Sequence, residues 1–263
     1  MYDAISYDTS GSIAVICHNR PQARNAESQM LLDELAAAVD RAVADADVKV
    51  IVIGGKGEHF SAGHDVKEAQ ESRSDFTVEQ RWDYEAKRYY GYALKIWDCP
   101  KPVIAMVQGA CISGGFMIAN MCDLIVASED AFFADPVLRT MGAAAVEVLV
   151  HPWVMGQRRA REFLYTGEKM SAAEALQIGM VNRVVPRAEL EEATLSLAAK
   201  IAEGPGFSLM MTKRSLNRAA DMQGFRTSLE AHFDTHQLSH VSESFGAAYS
   251  AGLASTIAKG KSS

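Results

Sequence analysis

Cysteine is scarce in this sequence. Only four of the 263 residues are cysteines, and they form no C-x-x-C pair: Cys17, Cys99, Cys111 and Cys122. This usage predicts free thiols in a reducing compartment, and so a cytoplasmic protein, rather than a disulfide framework. The first residues carry neither a basic cluster nor an apolar run, so we expect no signal peptide.

Basic residues are in the minority. Lys and Arg number 26 against 33 Asp and Glu, which gives a net charge of −7. A general nucleic-acid binder needs a clustered basic face, so nucleic acid is excluded as a partner. The uncharged residues 102–122 are long enough to cross a membrane. However, Gln108, Asn120 and several glycines in this stretch favour a buried strand, a turn and a buried helix.

Phosphate-loop, dinucleotide and hydrolase motifs are missing as well. Residues 54–57 lack the Walker spacing, and the chain contains neither a complete G-x-G-x-x-G nor a G-x-S-x-G sequence. His232, His236 and His240 would share one helix face and could bind a metal. Because no carboxylate obviously completes that set, we predict no metal there, but a polar helix face or a subunit contact.

Short apolar segments alternate with amphipathic ones along most of the chain. This alternation predicts an α/β fold with a partly parallel sheet. The capping box that starts at Ser171 predicts a helix ending near Gly179. Beyond Arg187 the pattern is helical, with a break at residues 204–206. Strands are predicted over 12–17, 48–53, 103–107, 124–127 and 180–185, and helices over 31–46, 78–97 and 115–121.

Two glycine turns follow buried strands, at residues 60–66 and 109–116. Each can leave backbone N–H groups unpaired, the second at the start of a helix. Two such donors that converge on one oxygen form an oxyanion hole. Turns whose glycines only permit close packing are the structural alternative.

With these turns, the sequence resembles the crotonase superfamily of enoyl-CoA hydratases and isomerases. The resemblance covers residues 10–200 and thins afterwards, although Lys213 fits a lysine that is common in the family's following helix. Four further segments carry family motifs: N-R-P-x-x-x-N-A at 19–26, K-P-x-I-A at 101–105, C-D-x-x-x-A at 122–127, and T-G with the following helix at 166–181.

The resemblance implies a crotonase-like α/β core of repeated ββα units over residues 1–200. It also implies a helical C-terminal region, residues 201–263, that makes much of the contact in a homotrimer or a hexamer.

The resemblance further implies an acyl-CoA thioester substrate, with coenzyme A as part of the substrate and no permanently bound cofactor. The oxyanion-hole amides would be those of His64 and Gly114, and Arg24 and Lys56 would meet the phosphates. The coenzyme A would lie along Ala23, Arg24, Ala62, His64, Asp65 and Val66.

Both glutamate positions of the hydratases are apolar here, because Met117 and Val137 occupy them. Neither side chain can move a proton, so hydration is doubtful and crotonyl-CoA hydration should be weak. Glu147, ten residues after Val137, is a candidate acid or base, and a solvated helix residue is the alternative. The His64 side chain, Asp135 and His151 are weaker candidates.

Several functions remain open from the sequence. The leading one is an acyl-CoA enzyme that passes through a thioester enolate. Isomerisation, decarboxylation and thioester hydrolysis all fit this description. A catalytically weak CoA-binding or assembly subunit, which keeps the two turns only for packing, is the alternative from another class.

Overall fold

The structure, a computed structural model, describes residues 2–251, so residues 252–263 of the predicted C-terminal region lie outside the described residues. Strands form two sheets at the centre. They are β1 Ile5–Ser10, β2 Ile13–His18, β3 Val50–Gly55, β4 Val103–Val107, β5 Ala110–Ile112, β6 Leu124–Ser128, β7 Phe132–Ala134, β8 Met170–Ser171 and β9 Arg183–Val185.

Helices surround the sheets and make up the C-terminal region. They are α1 Gln29–Ala44, α2 Val66–Ser72, α3 Val78–Glu85, α4 Gly91–Asp98, α5 Gly114–Met121, α6 Val137–Met141, α7 His151–Met155, α8 Gln157–Thr166, α9 Ala172–Gln177, α10 Leu190–Ala202, α11 Gly206–Met222, α12 Phe225–Ser239 and α13 Glu243–Ser250.

The larger sheet has the strand order β1-β2-β3-β4-β6-β9 and is parallel except for the β1–β2 hairpin. The smaller sheet has the order β5-β7-β8. The chain therefore runs β4-β5-α5 and then β6-β7-α6, with one strand of each unit in each sheet. This arrangement confirms the predicted α/β fold and its ββα units.

Helices cover both faces of the larger sheet. Along β3, Ile51 and Ile53 pack in the main core with α1, while Val50 and Val52 pack against α10 on the other face. The side chains of successive strand residues point to opposite faces, so a strand buried on both faces reads as one apolar run. This double burial explains why β3 was recognisable without any alternation of polar residues.

Two sequence predictions need correction. The helix expected over 78–97 contains a π turn at Ala86–Tyr90, which joins α3 to α4. The strand expected over 180–185 is limited to Arg183–Val185. Residues 102–122 form β4, β5 and α5, and no helix within residues 2–251 is long and apolar enough to cross a bilayer.

Lys213 ties the C-terminal helices to the core. Its ammonium group lies 2.8 Å from Asp123 Oδ2 and also donates to the carbonyl oxygens of Ile96 and Lys101. The Lys213 side chain is 6% exposed and that of Asp123 is 24% exposed. A largely buried cation thus has three protein groups around it, two carbonyl oxygens as acceptors and one carboxylate as counter-ion.

Lys213→Met should lower the free energy of unfolding by about 2–4 kcal/mol, because it leaves Asp123 without its counter-ion and removes the hydrogen bonds that the Ile96 and Lys101 carbonyls accept from Lys213. Urea unfolding followed by circular dichroism measures the change. Lys200→Met, at an exposed position of α10, is the matched control and should shift stability by no more than about 0.5 kcal/mol. Equal stability of the two variants would contradict the assignment.

Candidate active site

The two glycine turns lie against each other. Ser61 pairs with Cys111 of β5 in a single parallel bridge, which brings the first turn next to the start of α5. At Gly63, whose φ is +88°, an added Cβ would lie 2.8 Å from the Ile112 carbonyl oxygen and 3.3 Å from the Gly114 nitrogen. Gly63 therefore permits the close approach of the two turns.

The amide of His64 has no acceptor within the part of the chain that the structure describes. On either side of it, Glu27 N–H donates to the Gly63 carbonyl at 2.9 Å, and Asp65 N–H donates to the Glu27 carbonyl at 3.1 Å. The His64 N–H falls between these two bonds, and it has no hydrogen-bond partner within residues 2–251.

The amide of Gly114 is also free, for a different reason. Gly114 is the first residue of α5, and the first hydrogen bond inside this helix runs from Met117 N–H to the Ser113 carbonyl at 2.9 Å. The N–H groups of the residues before this bond, at the start of the helix, have no partner within it. The described part of the chain thus places two free donors, those of His64 and Gly114, on turns that touch.

The imidazole of His64 is held between two carboxylates. Its Nδ1 lies 3.0 Å from Glu27 Oε2, and its Nε2 lies 3.0 Å from Glu147 Oε2. The ring stacks on Tyr89 with 3.6 Å between the ring centroids. The Glu27 and Glu147 side chains are 0% and 4% exposed, whereas that of His64 is 19% exposed. His64 is therefore the member of this trio that solvent or a ligand can reach.

This trio lies directly against Gly114. A Cβ added to Gly114 would overlap Glu27 Oε2 and would lie 2.6 Å from both Cε1 and Nδ1 of His64. The proton shared between His64 Nδ1 and Glu27 is thus close to one of the two free amides. Glu147, on the far side of the ring, is not.

Electrostatics keep His64 charged. Burial lowers the pKa of His64, but the charge and hydrogen bond of Glu147, together with those of Glu27, raise it to about 10. Burial likewise raises the pKa of Glu147, but the neighbouring His64 and His236 hold it well below its ordinary value. The site at neutral pH therefore contains an imidazolium between carboxylates.

We expect ¹⁵N NMR to find both ring nitrogens of His64 protonated at pH 7 and 8. Because the pKa rises from 6.5 to about 10 on folding, the stability it contributes is complete below pH 6.5 and is lost as the pH rises towards 10. The difference in unfolding free energy between wild type and His64→Gln should shrink over the same range. A midpoint near 6.5 would contradict this arrangement.

Glu147 was considered from sequence as an acid or base, or else as a solvated helix residue. The second alternative is wrong, because Glu147 lies in the loop between α6 and α7 and is 3% exposed. Its Oε2 meets His64, and its Oε1 lies 3.6 Å from His236 Nε2. The structure thus brings Glu147 and His64 together through their side chains.

The three histidines near the C-terminus do not act as one set. His232 Nε2 lies 2.8 Å from the Val146 carbonyl oxygen, which separates it from the other two. His236 is buried rather than on a polar helix face. Glu85, not found from the sequence, lies 3.6 Å from His236 and 3.7 Å from His240. Among the described residues, Glu85, His236 and His240 are the ones placed closely enough to hold a metal ion.

The two positions that the resemblance matches to hydratase glutamates are apolar and buried. Met117 is 1% exposed and Val137 is 8% exposed. No rotation of either side chain supplies an acid or a base, so neither of these two positions can transfer a proton.

Asp135 and His151 form a separate buried pair, 3.3 Å apart. Asp135 accepts from the amides of Val137 and Val146, and His151 stacks on Phe116. These contacts anchor the loop that precedes Glu147. No contact in residues 2–251 links the pair to His64.

The residues expected to meet coenzyme A are contiguous. The Arg24 carbonyl accepts from Ala62 N–H at 3.0 Å, which joins the 21–24 turn to the turn before His64. Asp65 caps α2 and pairs with Arg20 at 2.9 Å, so its side chain has a structural role. Lys56 and the left-handed residue Arg24 are exposed, whereas Ala23, Ala62 and Val66 are partly buried.

Comparisons with known proteins identify the family. The profile of the family "Enoyl-CoA hydratase/isomerase" matches residues 8–249. A "probable enoyl-CoA hydratase" of Rhizobium meliloti is 36% identical, over 84% of each chain. The crystal structure of a "probable enoyl-CoA hydratase" from Mycobacterium thermoresistibile is 47% identical with a TM-score of 0.86, and covers 94% of this chain and 99% of that one. An enoyl-CoA hydratase/isomerase structure from Xanthobacter autotrophicus is 37% identical with a TM-score of 0.92, over 98% and 97% of the two chains. The chain therefore belongs to the enoyl-CoA hydratase/isomerase family.

Proposed function

We propose that this chain acts on an acyl-CoA thioester by holding its enolate at the amides of His64 and Gly114. The observation that carries the proposal is the pair of free donors on touching turns, with an imidazolium beside them. Each such donor stabilises a developing oxyanion by roughly 3–4 kcal/mol. The fixed positive charge of His64 adds to this and offsets the nearby Glu27 carboxylate.

We place the coenzyme A along Ala23, Arg24, Ala62, Asp65 and Val66. The exposed Arg24 and Lys56 side chains are free to meet its phosphates. The chain has a net charge of −7, so its overall electrostatic potential repels the negatively charged coenzyme A. Local cations such as these must therefore bind the phosphates.

His64 is the group that we assign to proton transfer. Its Nδ1 lies 3.0 Å from Glu27 Oε2 and would lie 2.6 Å from a Cβ added to Gly114, so the Nδ1–H proton is close to Gly114. Glu147 acts through His64, because it faces Nε2 on the far side of the ring. Both carboxylates hold the ring in the charged, proton-donating form.

A resting acid favours a reaction that makes the enolate without a base. Decarboxylation of a 2-carboxyacyl-CoA has this property. The bond between the α-carbon and the carboxylate breaks, its electron pair passes to the thioester oxygen, and CO₂ leaves. The His64 Nδ1–H bond then breaks, the proton goes to the α-carbon, and water later returns a proton to the imidazole. Isomerisation of an enoyl-CoA, which also passes through an enolate held at the two free amides, is the second candidate.

The test is a panel of acyl-CoA thioesters incubated with the protein in D₂O. A 2-carboxyacyl-CoA should lose CO₂ and gain one deuterium at the α-carbon, and crotonyl-CoA should hydrate slowly. Migration of the double bond in a 3-enoyl-CoA would favour isomerisation instead. If all thioesters bind without exchange or turnover, the chain is a CoA-binding or assembly subunit and the proposal is wrong.

A further inference from the structure

Glu147 is held by a second imidazole that the proposed reaction does not use. His236, on α12, lies with Nε2 3.6 Å from Glu147 Oε1 and 3.6 Å from Glu85 Oε2. Its Nδ1 faces the Ala144 carbonyl oxygen at 3.2 Å. The side chain is 3% exposed, so it meets these groups away from bulk solvent.

Charged groups alternate through this cluster. Carboxylates of Glu27, Glu147 and Glu85 alternate with the rings of His64 and His236, and Arg81 of α3 lies 3.6 Å from Glu85. Three acidic groups thus face three basic ones. Buried charges are tolerated only when they are balanced in this way.

The remaining neighbours of His236 are uncharged at neutral pH. Burial lowers the pKa of His232 and of His240 to about 4. Burial also lowers the pKa of His236, but Glu147 and Glu85 raise it to about 10. Gln237 donates to Glu85 and fixes the carboxylate that faces His236.

We infer that His236 is a positioning residue that keeps Glu147 ionised and turned towards His64, with Glu85 holding His236 in its place. The inference rests on the proposed role of His64, and it makes the charge on that ring depend on a residue that touches no substrate. His236 holds the second oxygen of Glu147, so without it the carboxylate turns away from His64 Nε2, which then loses a hydrogen bond and a counter-ion.

The decisive measurement is the titration of His64 by ¹⁵N NMR, which needs no substrate. In His236→Gln, the midpoint should fall by at least about one pH unit, which is a tenfold loss of proton affinity. His236→Arg, which retains the cation, should restore it. His240→Gln is the matched control, because His240 contacts Glu85 but not Glu147, and it should leave the midpoint within about 0.3 units.

Glu85→Gln provides a second route if the His236 variants do not fold, and it should lower the His64 midpoint in the same direction. Unchanged His64 titration in a folded His236→Gln protein would overturn the inference. So would one equivalent of metal found by elemental analysis of wild type and lost in His240→Gln, because Glu85, His236 and His240 would then be ligands. If the wild type shows the NMR shifts but turns over no thioester, the proposed function fails and this coupling stands.

Kinetics provide a second measurement, which a purely structural role of His236 would leave unchanged. Where turnover is measurable, His236→Gln should lower kcat at pH 8 and 9 more than at pH 6, while KM stays nearly constant. The pH at which activity declines should move down with the His64 midpoint.

Discussion

Gly114→Pro should lower kcat/KM for the acyl-CoA substrate about 10²–10³-fold, which is the usual effect of deleting one oxyanion donor. Proline has no N–H, so the thioester oxygen keeps only the His64 amide. Gly114 is the first residue of α5, where a helix accepts proline. Steady-state kinetics on the best thioester of the panel would measure the loss.

A second variant separates the donor from the added bulk. Gly114→Ala keeps the N–H, but its Cβ would overlap Glu27 Oε2 and crowd the His64 ring at 2.6 Å. Its defect should therefore appear in the His64 titration as well as in kcat. Gly246→Ala, where an added Cβ meets nothing within 4 Å, should behave as wild type. Wild-type turnover by Gly114→Pro would exclude the oxyanion role.

The sequence was sufficient for features that depend on neighbouring residues. Ser171 and Glu174 form the capping box that the sequence predicted, and Gly179 adopts φ +79° just past α9. β4 ends at Val107, as predicted, and the glycines of residues 109–116 mark the segment that leads to Gly114 at the start of α5. Such signals are local, because capping and positive φ act within one turn of chain.

The charged cluster could not be predicted in this way. Glu27 follows the 21–24 turn, Glu85 and Tyr89 come from either side of the α3–π-turn junction, and His236 comes from α12. No periodicity links these positions, since each belongs to a different element. The π turn itself has no sequence signature here, although such turns often occur at functional sites.

Glu147 illustrates the same limit. Its distance from Val137 in the sequence suggests an acid or base role. Only the fold shows that the loop between α6 and α7 places it beside His64 Nε2. The clue that did come from sequence was negative. Met117 and Val137 cannot move protons, and the titratable groups that lie beside Gly114 are those of the trio around His64.

His64→Gln should lower kcat about 10²–10⁴-fold, the usual contribution of a positioned proton donor. The variant keeps the backbone amide, so the oxyanion hole retains both donors. It loses the cation and the proton that lies beside Gly114. KM should change little, because the exposed Arg24 and Lys56 are untouched. Kinetics and α-deuterium incorporation would measure the loss of proton delivery separately from binding.

Glu147→Gln is the matched comparison, because glutamine still accepts from His64 Nε2 and removes only a charge. The pKa of His64 should fall towards its ordinary value, since Glu147 is the largest cause that raises it. The rate near pH 6 should then stay close to wild type, while the decline of activity moves from about pH 10 towards neutral. A uniform loss at every pH would instead make Glu147 the group that touches the substrate. Unimpaired turnover by His64→Gln would leave the amides as the whole of the catalytic apparatus.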